Sequence, residues 1–228
     1  MASSQAQPLR AAFVHDLEEL KTQVEVMAAK VDEALHRSTV VLTTGDLELA
    51  QSVIDGDDEI DAMLVALTER CYDLLSRQSP VASDLRFVVS VLRILSDLER
   101  TGDLCLRIVK LAPFQTLLGS NAETFDILKS MAIEAQSLFR AAARAWASGD
   151  LRLAHTLEKK DDALDAYYAR LTAEVMKLEG ADSVPLAIQT LAAGRALERI
   201  ADHSVMIGER LRYMLTGNLE SLSKEIGP

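Results

Sequence analysis

Residues 98–103 have the sequence LERTGD, and residues 197–202 have the sequence LERIAD, so one short acidic segment occurs twice in the chain. A second repeat lies upstream of it in each half. Residues 45–62 match residues 149–166 at a Gly-Asp-Leu sequence and at three later aspartates. Two matched segments in the same order indicate an internal duplication, with one structural unit in each half.

Each unit contains two pairs of acidic residues separated by four positions, and this spacing defines the candidate site. In a helix, residues four apart lie on one face, with about 5–6 Å between their Cβ atoms. The four pairs are Asp57/Asp61, Glu99/Asp103, Asp161/Asp165 and Glu198/Asp202. Every pair therefore presents two carboxylates in the same direction.

The positions of the pairs also match across the predicted helical hairpins. Asp57 and Asp103 lie equally far from residue 80 in the sequence, and so do Asp61 and Glu99. The pairs of the second half are likewise symmetric about a point between residues 181 and 182. Antiparallel helices that turn at these two points gather four carboxylates at one height in each half. The sequence therefore predicts one metal site in each half.

The fold class follows from composition and periodicity. Apolar residues make up 49% of the 228 residues but aromatic residues only 4%, a balance that favours helices over sheets. Apolar positions recur at helical spacing between breaks at residues 44–46, 79–80, 113–121, 148–150 and 180–184. We predict an all-α fold of two tandem three-helix bundles with six long antiparallel helices. The expected boundaries are a disordered tail over 1–8, bundles over 9–113 and 120–217, and a C-terminal tail over 218–228.

Charge and the N-terminal sequence narrow the function classes. The net charge of −11 disfavours a nucleic-acid partner, because phosphate binding needs a basic face. The first ten residues lack the features of a secretion signal, and no apolar run approaches the roughly 18 residues of a spanning helix. We expect a cytoplasmic protein in which Cys71 and Cys105 are reduced thiols.

Two of the acids interrupt apolar stripes. Heptad steps through the third helix place Glu99 between Leu92 and Leu106, and the same steps through the sixth helix place Glu198 between Leu191 and Val205. An ionised carboxylate in an apolar seam costs roughly several kcal/mol unless it is paired or ligated. A single acidic pair is usually a solvated helix face. Four pairs in register, with two members on apolar stripes, indicate a bound cation instead.

The ligand types restrict the metal. All eight candidates are carboxylates, which favours hard or borderline ions: magnesium, manganese, iron or carboxylate-bound zinc. Di-iron oxidases in helical bundles add Glu-x-x-His pairs, but Gly102 and Ala201 stand three positions after Glu99 and Glu198. The sequence therefore disfavours redox catalysis.

The remaining charged residues allow more than one interpretation. His203 is a candidate peripheral ligand, although its side chain points about 100° away from that of Asp202 around the helix. The other three histidines, His15, His36 and His155, fit solvated helix positions. A basic stripe on the third helix comprises Arg86, Arg93, Arg100 and Arg107. These arginines either pair with acids of a neighbouring helix or form a docking face for an acidic partner.

Three segments resemble the PhoU family of phosphate-signalling regulators. They are Gln78 and Pro80 with Asp84-Leu85-Arg86, the segment Asp97-Leu98-Glu99-Arg100-Thr101-Gly102-Asp103, and the segment Glu198-Arg199-Ile200-Ala201-Asp202-His203. The duplicated three-helix layout agrees with the family as well. The resemblance covers about residues 9–217.

The resemblance implies a role and a set of partners. It implies a cytoplasmic adaptor that negatively regulates phosphate-starvation signalling and phosphate uptake. Such an adaptor links the ATPase of a phosphate ABC transporter to its sensor histidine kinase, and it reaches the membrane only through these partners. It also implies a homodimer, and an iron or zinc cluster bound through the acidic pairs. The ligands would be Asp57, Asp61, Glu99, Asp103, Asp161, Asp165, Glu198 and Asp202.

Two other functions are compatible with the residues alone. One is a carboxylate-bridged metalloenzyme, and the other is a purely structural helical scaffold whose acids are only solvated. The chain contains no Gly-rich phosphate loop, nucleophile elbow or Cys/His cluster. We therefore assign no catalytic residue and expect no enzyme activity.

Overall fold

The computed structural model describes residues 3–78 and 82–222, and helices account for almost all of this range. The helices are α1 (Ser3–Thr44), α2 (Leu47–Gln78), α3 (Ser83–Val109), α4 (Gln115–Gly119), α5 (Ala122–Ser148), α6 (Leu151–Val175) and α7 (Ser183–Thr216). Two 3-10 turns, Ala112–Phe114 and Leu219–Leu222, complete the described elements. The prediction of an all-α fold with six long helices is confirmed.

The same local device starts the second helix of each half. Gly45 and Gly149 adopt positive φ angles of 72° and 63°, a conformation that glycine reaches without steric cost. Asp46 then accepts a hydrogen bond from the backbone N–H of Leu49 at 2.9 Å. Asp150 accepts from the N–H groups of Arg152 and Leu153 at 2.9 and 3.0 Å. These caps satisfy N–H groups that have no partner within the helix, so both helix starts are encoded locally.

Helical residues extend into both segments for which the sequence predicts tails. The sequence predicts a disordered tail over residues 1–8, and in the structure α1 begins at Ser3. Adding residues to an existing helix fixes one residue per hydrogen bond gained, so the long α1 can extend through this polar segment. At the other end, residues 219–222 form a 3-10 turn, and Arg212 donates to the carbonyl of Ser221 at 3.3 Å. The predicted turn at Pro80 and the tail residues 223–228 lie outside the described residues.

The two halves share one hydrophobic core. In the first half α3 packs against α1 and α2, and in the second half α7 packs against α5 and α6. The helices α3 and α7 also pack against each other, as do α1 and α5. Buried side chains from both halves form a single cluster, and the rings of Phe87 and Trp146 stack across the halves with centroids 6.0 Å apart. The bundles are therefore joined along their length.

None of the helices in the described ranges is both long enough and apolar enough to cross a membrane.

Candidate functional site

The first acidic cluster consists of Asp57 and Asp61 on α2 with Glu99 and Asp103 on α3. The negative charge of Asp57 is repelled by Asp61 and Asp103, and that of Glu99 is repelled by Asp103, Asp61 and Asp57. The hairpin register therefore brings both acidic pairs within electrostatic range of each other. Asp57 and Glu99 are half-buried, whereas Asp61 and Asp103 are exposed.

Burial and mutual repulsion raise the pKa values of the two half-buried acids, Asp57 and Glu99. Burial is the largest cause that raises the pKa of Asp57, to about 6, and the charges of Asp61 and Asp103 raise it further. Burial also raises the pKa of Glu99, again with help from Asp103 and Asp61. Loss of water around an anion favours its neutral form, and so does a neighbouring anion. A bound cation would remove both penalties.

A glycine allows α2 and α3 to approach each other at this cluster. Gly102 is buried, and a Cβ atom on it would lie 3.2 Å from Oδ1 of Asp57 and 3.5 Å from Cδ1 of Ile60. The absence of a side chain thus leaves space for the Asp57 carboxylate. Nearby Cys105 is fully buried, and burial raises the pKa of its thiol to about 12. Cys105 is therefore a neutral core residue rather than a thiolate ligand.

The second acidic cluster consists of Asp161 and Asp165 on α6 with Glu198 and Asp202 on α7. Asp161 is buried, with 3% of its surface exposed, while Asp165 is exposed. Burial raises the pKa of Glu198, the charge of Asp202 adds to the effect, and Asp165 and Asp161 contribute less. This cluster contains its own counter-charge, because Nη1 of Arg195 lies 2.5 Å from Oε1 of Glu198.

The side chains of the clusters are not arranged as a finished coordination sphere. Among the described residues, no three His, Cys, Asp or Glu side chains are placed to hold a metal ion together. The carboxylates are close enough to repel one another, and repulsion drives exposed side chains such as Asp61 and Asp103 apart. Ligation would require these exposed side chains to rotate inward.

The donor chemistry nevertheless fits a hard cation. The clusters offer only carboxylate oxygens, which are the ligands preferred by magnesium and manganese and accepted by iron and zinc. Oε2 of Glu198 is buried and accepts no hydrogen bond from the residues that the structure describes. A buried oxygen without a donor is costly, and a cation would satisfy it.

One buried polar cluster was not predicted from the sequence. Asp97 on α3 and His203 on α7 are 1% and 3% exposed, and Nδ1 of His203 lies 3.1 Å from Oδ1 of Asp97. The guanidinium of Arg210 forms an ion pair with the other oxygen of Asp97. These contacts tie α3 to α7. The available sequence signal is weak: Asp97 stands three positions after Ile94 and seven before Leu104, on an otherwise apolar face.

His203 is therefore part of the core between the halves. Burial is the largest cause that lowers its pKa, to about 4, and the charges of Arg100 and Arg199 lower it further. A neutral imidazole that donates its Nδ1–H to Asp97 fits this environment. The expected solvated positions of His15, His36 and His155 are confirmed, since all three are exposed. Cys71 and Cys105 are both free and buried.

Fold and clusters together define a class: duplicated all-helical proteins with an acidic cluster between the second and third long helices of each half. The model of the PhoU domain matches residues 24–112 and 128–211, once in each half. The chain belongs to the PhoU family, as the sequence motifs indicated.

Relatives of the chain carry the same family name. It is 31% identical over 207 residues to phosphate-specific transport system accessory protein PhoU homolog 1 of Thermotoga maritima, covering 90% of this chain and 89% of that protein. It is also 31% identical over 215 residues to the homolog 1 protein of Mycobacterium tuberculosis, covering 92% and 96%.

Solved structures have the same fold. The crystal structure of PhoU from Pseudomonas aeruginosa matches with a TM-score of 0.85 and 28% identity, over 90% of this chain and 100% of that chain. The phosphate transport system regulatory protein PhoU from Streptococcus pneumoniae matches with a TM-score of 0.82 and 32% identity, over 91% and 98%.

Proposed function

We propose that this protein is a cytoplasmic accessory protein of phosphate transport that represses phosphate-starvation signalling and limits phosphate uptake. In this role it links the ATPase of a phosphate ABC transporter to a sensor histidine kinase, and it acts as a homodimer. Support comes from membership of the PhoU family and from relatives whose names describe accessory and regulatory proteins of phosphate transport.

The proposal includes one cation site in each acidic cluster, with iron or zinc as the expected metal and manganese or magnesium as alternatives. The observation that carries this part is the meeting of two acidic pairs across each hairpin, with burial and mutual repulsion raising the pKa values of Asp57, Glu99 and Glu198. A cation between the pairs would replace repulsion by attraction. It would thereby hold α2 against α3 and α6 against α7.

Metal analysis tests the cation sites. Protein purified without chelator, and protein reconstituted with iron, zinc or manganese, should contain metal in both halves. The double variant Asp61→Asn/Asp103→Asn should lose about half of it, because both side chains are exposed and belong to the first cluster. Glu69→Gln is the matched control, an exposed acid elsewhere on α2. Absence of metal after every reconstitution would reject the sites.

A deletion strain tests the regulatory role. Without the gene, genes of the phosphate-starvation response should be expressed even in rich phosphate, and the wild-type gene should restore repression. Complementation with the Asp61→Asn/Asp103→Asn variant then asks whether the clusters are needed. Normal repression in the deletion strain would show that the regulatory role is wrong, whatever the metal content.

The structural scaffold is a second candidate, because the cluster side chains are not placed for ligation among the described residues. If the acids serve only solvation, Glu99→Leu should stabilise the protein by restoring the apolar stripe on α3. Added metal should then leave the melting temperature unchanged. Under the cation hypothesis, metal at 100 times its Kd stabilises the wild-type protein by about 2.7 kcal/mol, and Glu99→Leu abolishes much of this gain.

A further inference from the structure

A groove between α3 and α7 combines basic side chains from the two halves, and we call it the basic groove. It consists of two adjoining depressions of about 360 and 350 Å³, which share Leu104, Arg107 and Arg199 as lining residues. Its cationic side chains are Arg100, Arg107 and Lys110 on α3 with Arg195 and Arg199 on α7. Opposing cations from two helices therefore face one space.

This concentration of positive charge is unusual for the chain, whose net charge is −11. Arg195 is paired with Glu198. Arg100, Arg107, Lys110 and Arg199 form no ion pair or side-chain hydrogen bond with any residue in the described ranges. Acids are abundant elsewhere, so isolated surface arginines would readily find partners. The charges of Arg100 and Lys110 reach Glu99 and Asp57 of the first acidic cluster, but no carboxylate is ion-paired with any of the four within the described residues. Four such cations at one groove favour a ligand that is itself negative.

The internal repeat explains why space exists here. The shift that relates residues 98–103 to 197–202 also relates Asp97 to Ala196 and Leu104 to His203. Asp97 and His203 fill one part of the α3–α7 contact with a buried hydrogen bond. Their counterparts, Ala196 and Leu104, line the basic groove, and His203 itself borders the second depression. The small Ala196 side chain leaves room that arginine side chains border rather than fill.

We propose that the basic groove binds a small phosphoryl oxyanion, either free phosphate or the phosphate chain of pyrophosphate or a nucleotide. Arginine matches phosphoryl oxygens with paired N–H donors, and Lys110 adds a point charge. Asp103 also lines the groove. Its side chain is exposed, and in the metal-free protein its carboxylate accepts a hydrogen bond from a protonated phosphate oxygen. Sulfate carries no such proton at neutral pH, so the groove prefers phosphate. The bound anion bridges α3 and α7 and so connects the two halves.

Titration calorimetry with phosphate, pyrophosphate, ATP and sulfate at constant ionic strength tests the site. The protein is used as purified and again after chelator treatment, because a metal in the acidic clusters could itself hold phosphate. We expect saturable binding of one anion per chain in both preparations. Sulfate should be the weakest ligand after chelator treatment, when Asp103 is not needed by a metal. The tightest of the three phosphoryl ligands identifies the source of the anion.

Two variants place the ligand. Arg107→Gln should weaken binding about tenfold or more, the loss of about 1.4 kcal/mol expected when a charged donor is removed. Arg107 is exposed and has no ion pair within the described ranges, so the variant should fold. Arg144→Gln removes the same charge from an exposed position on α5 and should leave binding unchanged.

Other outcomes overturn the proposal. Absence of saturable binding at millimolar ligand, equal binding of sulfate and phosphate by the chelated protein, or full affinity in Arg107→Gln would each reject the groove as the site. Binding that disappears with the chelator would assign the anion to the metal clusters instead. If only an acidic protein partner, and no small anion, depends on Arg107, the groove is a docking surface.

Discussion

The two acidic clusters occupy equivalent helices, yet they balance their negative charge in different ways. In the second half, Arg195 pairs with Glu198 at 2.5 Å. The repeat places Ser96 at the equivalent position of the first half. Glu99 forms no ion pair within the described residues, although the charge of Arg100 partly opposes the rise of its pKa. The pKa of Asp57 in the first cluster rises to about 6. The first half therefore lacks the close ion pair that partly neutralises Glu198 in the second half.

The backbone contact beneath the clusters also differs. Gly102 in the first half leaves space for the Asp57 carboxylate, whereas the equivalent residue in the second half is the fully buried Ala201. The first cluster is thus built around a close helix approach, and the second around an ordinary packed methyl group. The two halves therefore share the positions of their acidic residues but differ in the residue packed beneath them, Gly102 in one and Ala201 in the other.

The largest expected effect concerns the asymmetric contact between the halves. Asp97→Ala removes the carboxylate that bonds His203 and Arg210 in the core, and breaking a buried ion pair costs about 3–5 kcal/mol. Urea unfolding should show a loss of about 3 kcal/mol or more. Glu19→Ala, which removes a partner of Arg70 at the surface, should cost less than about 1 kcal/mol. Equal losses would mean that the buried pair does not hold the halves together.

Exchanging glycine and alanine at positions 102 and 201 should change the free energy of unfolding by different amounts in the two halves. Ala201→Gly loses about 1 kcal/mol of helix propensity and a buried methyl group worth about 0.8 kcal/mol, so unfolding should become easier by about 1–2 kcal/mol. Gly102→Ala gains the propensity but pushes the Asp57 carboxylate, so its net effect should stay below about 1 kcal/mol. Thermal unfolding measures both. A large loss in Gly102→Ala alone would indicate that the close approach cannot relax.

The stability of the metal-free protein should depend on pH through Asp57 of the first cluster. Between an ordinary value of 3.8 and a folded value of about 6, Asp57 is protonated in the folded chain but ionised in the unfolded chain. Its contribution to stability is therefore present below this window and is lost as the pH rises through it. Asp57→Asn should remove this dependence and stabilise the chelated protein at pH 7 by about 1 kcal/mol, allowing for partial exposure. Unfolding curves at pH 4 and 7 that retain the wild-type difference would contradict this.

The smallest expected effect comes from moving the counter-charge. Arg195→Gln should lower stability by about 0.5 kcal/mol, because the pair with Glu198 is three positions apart and only partly buried. Ser96→Arg should introduce the equivalent pair with Glu99 and raise stability by a similar amount. Thermal unfolding in metal-free buffer compares the two. If both variants change stability in the same direction, counter-charge does not explain the difference between the clusters.

How much of the molecule could be predicted depends on the distance along the chain. The helix starts at Asp46 and Asp150 follow from neighbouring residues, since a cap needs only its own side chain and the next turn. The proximity of Asp57 to Asp103 follows from the symmetry of the hairpin. The two residues are equally far from the turn in the sequence, so antiparallel helices place them at the same position along the hairpin axis. The start of α1 at Ser3 has no local signal in the sequence, because extension of a helix depends on the long helix that follows.

The sequence by itself determined the all-helical fold, the duplication and the register of the acidic pairs, because periodicity and turn position act within one hairpin. Only the tertiary structure decided that Asp97 meets His203, 106 positions away, and that cations of two halves face one groove. Such contacts depend on how α3 docks against α7. That docking is set by the shape of the whole shared core, which no local pattern specifies.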